Sequence, residues 1–255
     1  LRPYKDFQNI NDNIVQLIQP SKQKYDLIMI VIACRGKVYD EIMKQYWSKF
    51  INFVERKDKK IKILMLFGKD TKTSDLNIHE SNIIISKHKD SLKPGILKKT
   101  IDCFEKIDKQ YDYNKVLRTN LSSFFIYDNL KKISDTLNGE NLYCGITGSV
   151  NKQRFVSGAG IWLSTDNVRY IIDNQHKLSY NIIDDVAISM IMKSISENKT
   201  KRYNITDNKQ YSEKIHLIDD IINKDHYHIR IKNPKDRLNI DIEYFKKFTQ
   251  YLYIY

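Results

Sequence analysis

The sequence predicts an α/β fold, a three-layer α/β/α arrangement around a mixed, mostly parallel central sheet. The unbroken apolar run Leu27–Cys34 and the stretch Ile61–Phe67, apolar but for Lys62, lack the alternation of a half-exposed strand and read as strands covered on both faces. Stretches with apolar residues at helical spacing separate and follow them. Strands and helices alternate in this way through the first 140 residues, the pattern that a parallel sheet with covering helices requires.

The first strand spans Tyr25 to Ala33 and is broken by Cys34-Arg35-Gly36. From Val38 to Val54, residues Ile42, Met43, Tyr46, Trp47 and Phe50 recur at helical spacing, and Ile61 to Phe67 forms the second strand, closed by Gly68. Asn82 to Ser86 is a short third strand. After Pro94-Gly95, a proline suited to a helix N-terminus, Ile96, Thr100, Cys103, Phe104 and Ile107 mark one face of a helix from Ile96 to Asp108. Asn114 to Leu117 is the fourth strand, and a helix follows from about Phe125 to Leu137. Beyond Asn138-Gly139 the texture changes. Leu142 to Ile146 and Phe155 to Ser164 read as strands, with a turn at Thr147-Gly148-Ser149 between them. Helices are expected at Thr165–Asp173 and Asp184–Ile195, a loop at Glu197–Asn208, a strand at His226–Lys232 and a terminal helix at Ile240–Tyr253.

At 255 residues, 41% hydrophobic and 29% charged, the chain can bury a sizeable core and is neither disordered nor collagen-like. A single domain over residues 1–255 is expected. The net charge of +12 favours anionic partners, although its sign alone does not choose among nucleic acid, membrane headgroups and phosphorylated small molecules. Much of the excess is lysine in a chain also rich in Ile, Asn and Tyr, a bias that AT-rich coding produces without selection for binding. Cys34, Cys103 and Cys144 lie far apart, so neither a disulfide framework nor a zinc cluster is supported and reduced thiols are expected. No apolar run is long enough to span a bilayer and Leu1–Ile10 lacks a signal-peptide pattern, so the chain as given reads as soluble. Its start at Leu1 fits a piece of a longer chain.

A Walker loop, a Gly-x-Gly-x-x-Gly fingerprint, a His-Glu-x-x-His pair and a serine nucleophile elbow are all absent from the sequence, which removes most support for the corresponding enzymes. What remains lies at strand ends, where open α/β sheets bind ligands. Arg118 to Ser123 follows the fourth strand, Ser157-Gly158-Ala159-Gly160 offers backbone with little side chain, and Asp184-Asp185 opens a helix behind Ile182-Ile183.

Together with Lys44-Gln45-Tyr46-Trp47, Lys98-Lys99-Thr100 and Asp184-Asp185-Val186, these stretches follow the order and comparable spacing of a known set over roughly residues 26 to 196. In this the sequence resembles the GT-A glycosyltransferases of the beta-1,3-galactosyltransferase and Fringe type. The resemblance implies a GT-A-like fold, with residues of about 26–140 forming a nucleotide-sugar half and 141–255 an acceptor half. It also implies transfer of a sugar from a nucleoside diphosphate sugar, UDP-linked in that family, to a hydroxyl of a glycan, protein or small molecule, with inversion. Asp185 is then the base that deprotonates the acceptor, and Asp184 orients it. Arg118, Asn120, Ser122 and Lys99 line the donor site, and Ser157, Gly158, Ala159 and Gly160 the acceptor side.

The family's metal-binding Asp-x-Asp falls on Asn120-Leu121-Ser122, where two carboxylates have become neutral groups. Mn²⁺ and Mg²⁺ prefer charged oxygen ligands, so no metal cofactor is favoured, and protein cations must take the charge of the leaving diphosphate. Alternation along His226–Lys232 places His226, His228, Arg230 and Lys232 on one face; His228 and Arg230 are the donor candidates there, and Arg35 is another. Plainer readings exist for each residue. Asp184 and Asp185 suit a helix N-terminus, Asn120 and Ser122 a turn, Ser157–Gly160 a tight strand crossing, and His226 and His228 a solvated edge. Two rivals remain: a basic nucleic-acid-binding protein, which no recognised motif supports, and an inactive glycosyltransferase-like binder. Composition and the altered motif also resemble glycosyltransferases of large DNA viruses. Localisation is left open, since members of the family are typically anchored in the secretory pathway.

Overall fold

The computed structural model describes residues 21–196, 201–205 and 214–253. In chain order its strands are β1 (Gln23–Ile32), β2 (Ile61–Phe67), β3 (Ile83–Ile85), β4 (Tyr111–Asn120), β5 (Ser123–Phe125), β6 (Tyr143–Cys144), β7 (Thr147–Val150), β8 (Gln153–Val156), β9 (Gly160–Ser164), β10 (Arg202–Ile205) and β11 (His228–Ile231). The α-helices are α1 (Lys37–Ile42), α2 (Ser48–Lys57), α3 (Gly95–Gln110), α4 (Tyr127–Thr136), α5 (Thr165–Asp173), α6 (Asp184–Ile191), α7 (Lys214–Asn223) and α8 (Ile242–Tyr253).

The main sheet has six strands in the order β3-β2-β1-β4-β9-β6. β1, β2, β3 and β4 run parallel, with Leu27 between Ile61 and Lys115 in register, whereas β9 runs antiparallel to β4 and places Trp162 opposite Leu117. β1 is buried from Leu27 onward because it feeds two cores. Leu27, Met29 and Val31 pack with Tyr46, Trp47 and Phe50, while Ile28, Ile30 and Ile32 pack with Leu97, Ile101 and Phe104 of α3 and Val168 and Ile171 of α5. The apolar run without alternation is thus explained by helices on both faces, and the three-layer arrangement with a mixed, mostly parallel sheet is the one the sequence predicts.

A π-helical turn, Met43–Trp47, joins α1 to α2 and widens the helix by one residue per turn. It presents two aromatic side chains to the segment that leaves β4. The Trp47 indole N–H donates to the Leu121 carbonyl at 3.2 Å, and the Phe125 N–H donates to the Tyr46 hydroxyl at 2.8 Å. Tyr46 stacks on Phe124 with ring centroids 4.3 Å apart, and Phe245 and Tyr253 of α8 close the same aromatic cluster. The C-terminal helix therefore fastens the turn that follows the central strand.

A second, three-stranded sheet, β10-β11-β5, stands on that turn, with Arg202 beside His228 and Arg230 opposite Ser123. It corrects two expectations. The polar stretch Glu197–Asn208, read as a loop, contains β10, with residues 197–200 and 206–208 lying outside the described residues; Phe125, placed in a helix, belongs to β5, and the helix begins at Tyr127. The expected turn at Thr147-Gly148-Ser149 is strand β7, and the chain reverses instead at Asn151-Lys152, both of which take positive φ. Polar residues misled here because hairpin β7-β8 is exposed on both sides. The helix expected to reach Ile195 stops at Ile191, where Met192 turns extended. Leu1–Ile10 and Tyr255 lie outside the described residues.

Replacing Tyr46 by Phe keeps the ring stack but leaves the buried Phe125 N–H without its acceptor. Urea unfolding of Tyr46→Phe is expected to show a loss of about 1–3 kcal/mol; a change below about 0.5 kcal/mol would mean this bond does not hold the turn.

Candidate active site

Beyond the C-terminal ends of β1 and β4 lies a cleft of about 410 Å³, with Tyr39, Lys99, Asn120, Ser122, Arg230 and Lys232 among its walls. Lys99, only 1% exposed, forms its floor: the ammonium donates to the Ala33 carbonyl at 2.7 Å and pairs with Asp90. Arg230 reaches across from β11 to donate to the Asn120 side-chain oxygen, and it makes no ion pair among the described residues. Burial, and then the charges of Arg202, Arg237 and Arg118, bring its pKa down to about 10. Arg237, which the sequence reading missed, donates to Ser122 Oγ at 2.8 Å and to the Tyr39 hydroxyl at 2.9 Å while pairing with the buried Asp241 at 2.7 Å. Its only trace in the sequence is an Arg/Asp pair four residues apart, a spacing too common to single out.

The candidate base lies on the other side of Asn120. Arg118, 3% exposed near the C-terminal end of β4, donates to the Gly158 carbonyl and pairs with Asp184. Asp185, next in the first turn of α6, accepts from the Gly158 N–H at 2.9 Å and from the Val186 N–H at 3.0 Å. A side chain at position 158 would collide with the Arg118 guanidinium and lie 3.3 Å from the Asp185 carboxylate, so glycine is demanded there by close approach. Burial raises the Asp185 pKa above the ordinary carboxylate range, and Asp184 pushes the same way against the Gly158 N–H and Arg118. The neighbouring carbonyl of Ala159 is held by the Thr119 and Ser123 hydroxyls at 2.6 and 3.2 Å. Arg118, Asn120, Ser157–Gly160, Asp184 and Asp185, scattered in sequence, thus meet at one strand crossing.

The remaining candidates are placed differently. His228 does not line the cleft. It lies flat on Phe125 with centroids 4.8 Å apart, and a Cβ at position 160 would stand 3.1 Å from its Nδ1. Complete burial, and then Arg202 and Arg230, hold its pKa well below the ordinary histidine range, so the ring is neutral. Arg202, another residue the sequence reading missed, donates to Ser157 Oγ at 3.1 Å. Arg35 is not among the walls of the cleft and is bound to Asp40 at 2.8 Å and Asp75 at 2.7 Å. The three cysteines are free thiols.

The residues at the metal position of the resembled family do not fit a divalent cation. The Asn120 side-chain oxygen already accepts from Arg230 and from the Ser122 N–H at 3.2 Å, and Ser122 Oγ accepts from Arg237. A cation there would find neutral oxygens already engaged and two guanidinium groups as neighbours. Among the described residues no group of three or more His, Cys, Asp or Glu could hold a metal ion.

No family model and no curated protein matches the chain. Among solved structures it is similar to a glycosyltransferase involved in the glycosylation of the major capsid of PBCV-1, at 10% identity and a TM-score of 0.46, over 87% of this chain and 99% of that one. It is also similar to the bifunctional glycosyltransferase WbbM, at 12% identity and a TM-score of 0.44, over 91% of this chain and 47% of that one. A third likeness is to 4-diphosphocytidyl-2C-methyl-D-erythritol synthase, at 8% identity and a TM-score of 0.39, over 66% and 85% of the two chains. No helix among the described residues is long and apolar enough to cross a membrane.

Because His228 is neutral when folded and takes a proton when unfolded, the unfolded state binds more protons as the pH falls below about 6.5. Stability is therefore lost on acidification through that range. Between about pH 7 and about pH 5 the wild type should lose up to about 1.4 kcal/mol per pH unit more than His228→Gln, read from melting curves across that window. Parallel curves for the two proteins would refute the buried neutral ring.

Proposed function

We propose that the protein transfers a sugar from a nucleoside diphosphate sugar to a hydroxyl acceptor, without a divalent metal. One observation carries the reading: a half-buried carboxylate at a helix start lies beside a cleft walled by Lys99, Arg230 and Lys232 against the carboxylate of Asp90. Lys99, Arg118 and Arg237 each have an acidic partner in Asp90, Asp184 and Asp241, whereas Arg202, Arg230 and Lys232 make no ion pair among the described residues. A diphosphate supplies the missing negative charge.

In this reading the diphosphate seats against Arg230 and Lys232, and Asn120 and Ser122 contact the donor in place of metal ligands. The acceptor O–H gives its proton to Asp185, whose raised pKa makes it a stronger base than a solvated carboxylate. The acceptor oxygen then attacks the anomeric carbon as the bond to the diphosphate breaks on the opposite face. The electron pair leaves with the diphosphate, where Arg230 and Lys232 meet the added charge. Asp184, tied to Arg118, holds the helix start in place. Uridine as the base and inversion at the anomeric carbon come from the family resemblance, and the cation surplus and the engaged Asn120 and Ser122 support metal independence.

Two tests separate chemistry from binding. Asp185→Asn should lower transfer by about 10²–10⁴-fold while donor affinity and melting temperature stay as in wild type; full activity in that variant removes the assignment, and donor binding with no turnover by the wild type for any acceptor would make the protein a binder. Arg230→Ala should weaken uridine diphosphate binding roughly 10–100-fold in calorimetry, equally in EDTA and in Mn²⁺. An affinity that collapses in EDTA would instead return the metal to the site.

A further inference from the structure

Six large apolar side chains are exposed among the described residues, and four of them, Leu92, Val150, Ile183 and Met190, gather around one end of the molecule. Leu92 is 69% exposed and Met190 58%, values unusual for side chains of this kind beside an ordered groove. The groove, about 390 Å³, runs between the β7-β8 hairpin and α6, and Val150, Ile182, Ile183, Val186 and Met190 supply its apolar lining. It adjoins the candidate active site twice. Val186 and Ile183 flank the Asp184-Asp185 pair, and Leu92, a wall residue of the cleft, is the chain neighbour of Lys93, a wall residue of the groove.

We propose that this rim is a docking surface for an anionic lipid bilayer. Its charge fits that occupant. Lys93 lines the groove, Lys152 stands at the hairpin tip between lining residues Asn151 and Gln153, and Lys89 lies on the same segment as Leu92; all three are exposed and make no ion pair among the described residues. No carboxylate and no aromatic ring lines the groove. Protein partners are most often anchored by aromatic and arginine side chains in pockets, whereas aliphatic side chains ringed by lysines combine the two forces that hold proteins to acidic membranes, apolar insertion and attraction to the headgroups. If the glycosyl-transfer reading holds, on which this one consequence rests, the acceptor hydroxyl reaches Asp185 from the lipid surface.

The test is co-sedimentation of the full chain with vesicles of phosphatidylcholine alone and with about 30% phosphatidylserine, in the absence of donor and acceptor. Binding is expected to the acidic vesicles, falling as salt rises. Lys93→Glu should weaken partitioning roughly fivefold and the pair Leu92→Glu with Met190→Glu roughly tenfold or more, with melting temperatures like wild type because all three side chains are exposed. No binding, equal partitioning into neutral and acidic vesicles, or wild-type partitioning by the double variant overturns the proposal. So does a concentration-dependent dimer abolished by the same pair of substitutions, which would assign the face to a second copy of the chain. Since the measurement needs no turnover, a failure here leaves the catalytic reading standing, and an inactive enzyme leaves this one standing.

Discussion

A charge buried in the central strand governs the rest of the site. Arg118 lies in β4 with apolar strands on both sides, where an unpaired guanidinium would be costly. Its two terminal nitrogens are served from two distant segments, the Gly158 carbonyl and Asp184, and these bonds fix the loop before β9 against the start of α6. Asp185 is positioned as a consequence. Its carboxylate meets the Gly158 N–H, so the residue that answers Arg118 with its carbonyl answers Asp185 with its amide. Two acids adjacent in sequence thereby acquire different circumstances: Asp184 is bound to a cation, and Asp185 is bound only by amides and shifted upward by burial.

The same economy of buried charge explains the cleft. In the cleft Asn120 and Ser122 accept hydrogen bonds from Arg230 and Arg237, so guanidinium groups are the charged neighbours of these neutral oxygens. The four residues depend on one another. Arg230 beside two aspartates would form an internal ion pair with nothing left for a ligand, and Asn120 and Ser122 without arginines would leave the site with little charge to offer an anion. Burial, and then repulsion from Arg202, Arg237 and Arg118, lowers the pKa of Arg230, a cost that an anion placed beside it would relieve.

Distance from the chemistry does not make the aromatic cluster incidental. Tyr46, Trp47, Phe50, Phe124, Phe245 and Tyr253 bring α2, β5 and α8 together. Through the Trp47 and Tyr46 hydrogen bonds they grip Leu121 and Phe125, which bracket Ser122, Ser123 and Phe124. The C-terminal helix, which contributes no side chain to the cleft walls, thus sets the precision with which Asn120 and Ser122 are presented.

The sequence by itself determined the sheet and its coverings. β2 and α5 begin and end where periodicity places them, because continuous apolar runs and helical stripes are consequences of burial on two faces or one, and burial is written in residue type. Strands β7 and β10 and the early start of β5 escaped, since short, exposed or polar strands are made by their partners rather than by their own pattern. Through the order of short motifs, and through alternation along His226–Lys232, the sequence marked Asn120, Gly158, Asp184, Asp185 and Arg230 as candidates. It said nothing of which acid pairs with Arg118, placed His228 in the cleft rather than beneath it, counted the surface-bound Arg35 and overlooked Arg202 and Arg237. Charges find partners through space, across as many as 198 positions of chain between Tyr39 and Arg237, and only the tertiary structure decides which cations are neutralised and which are not.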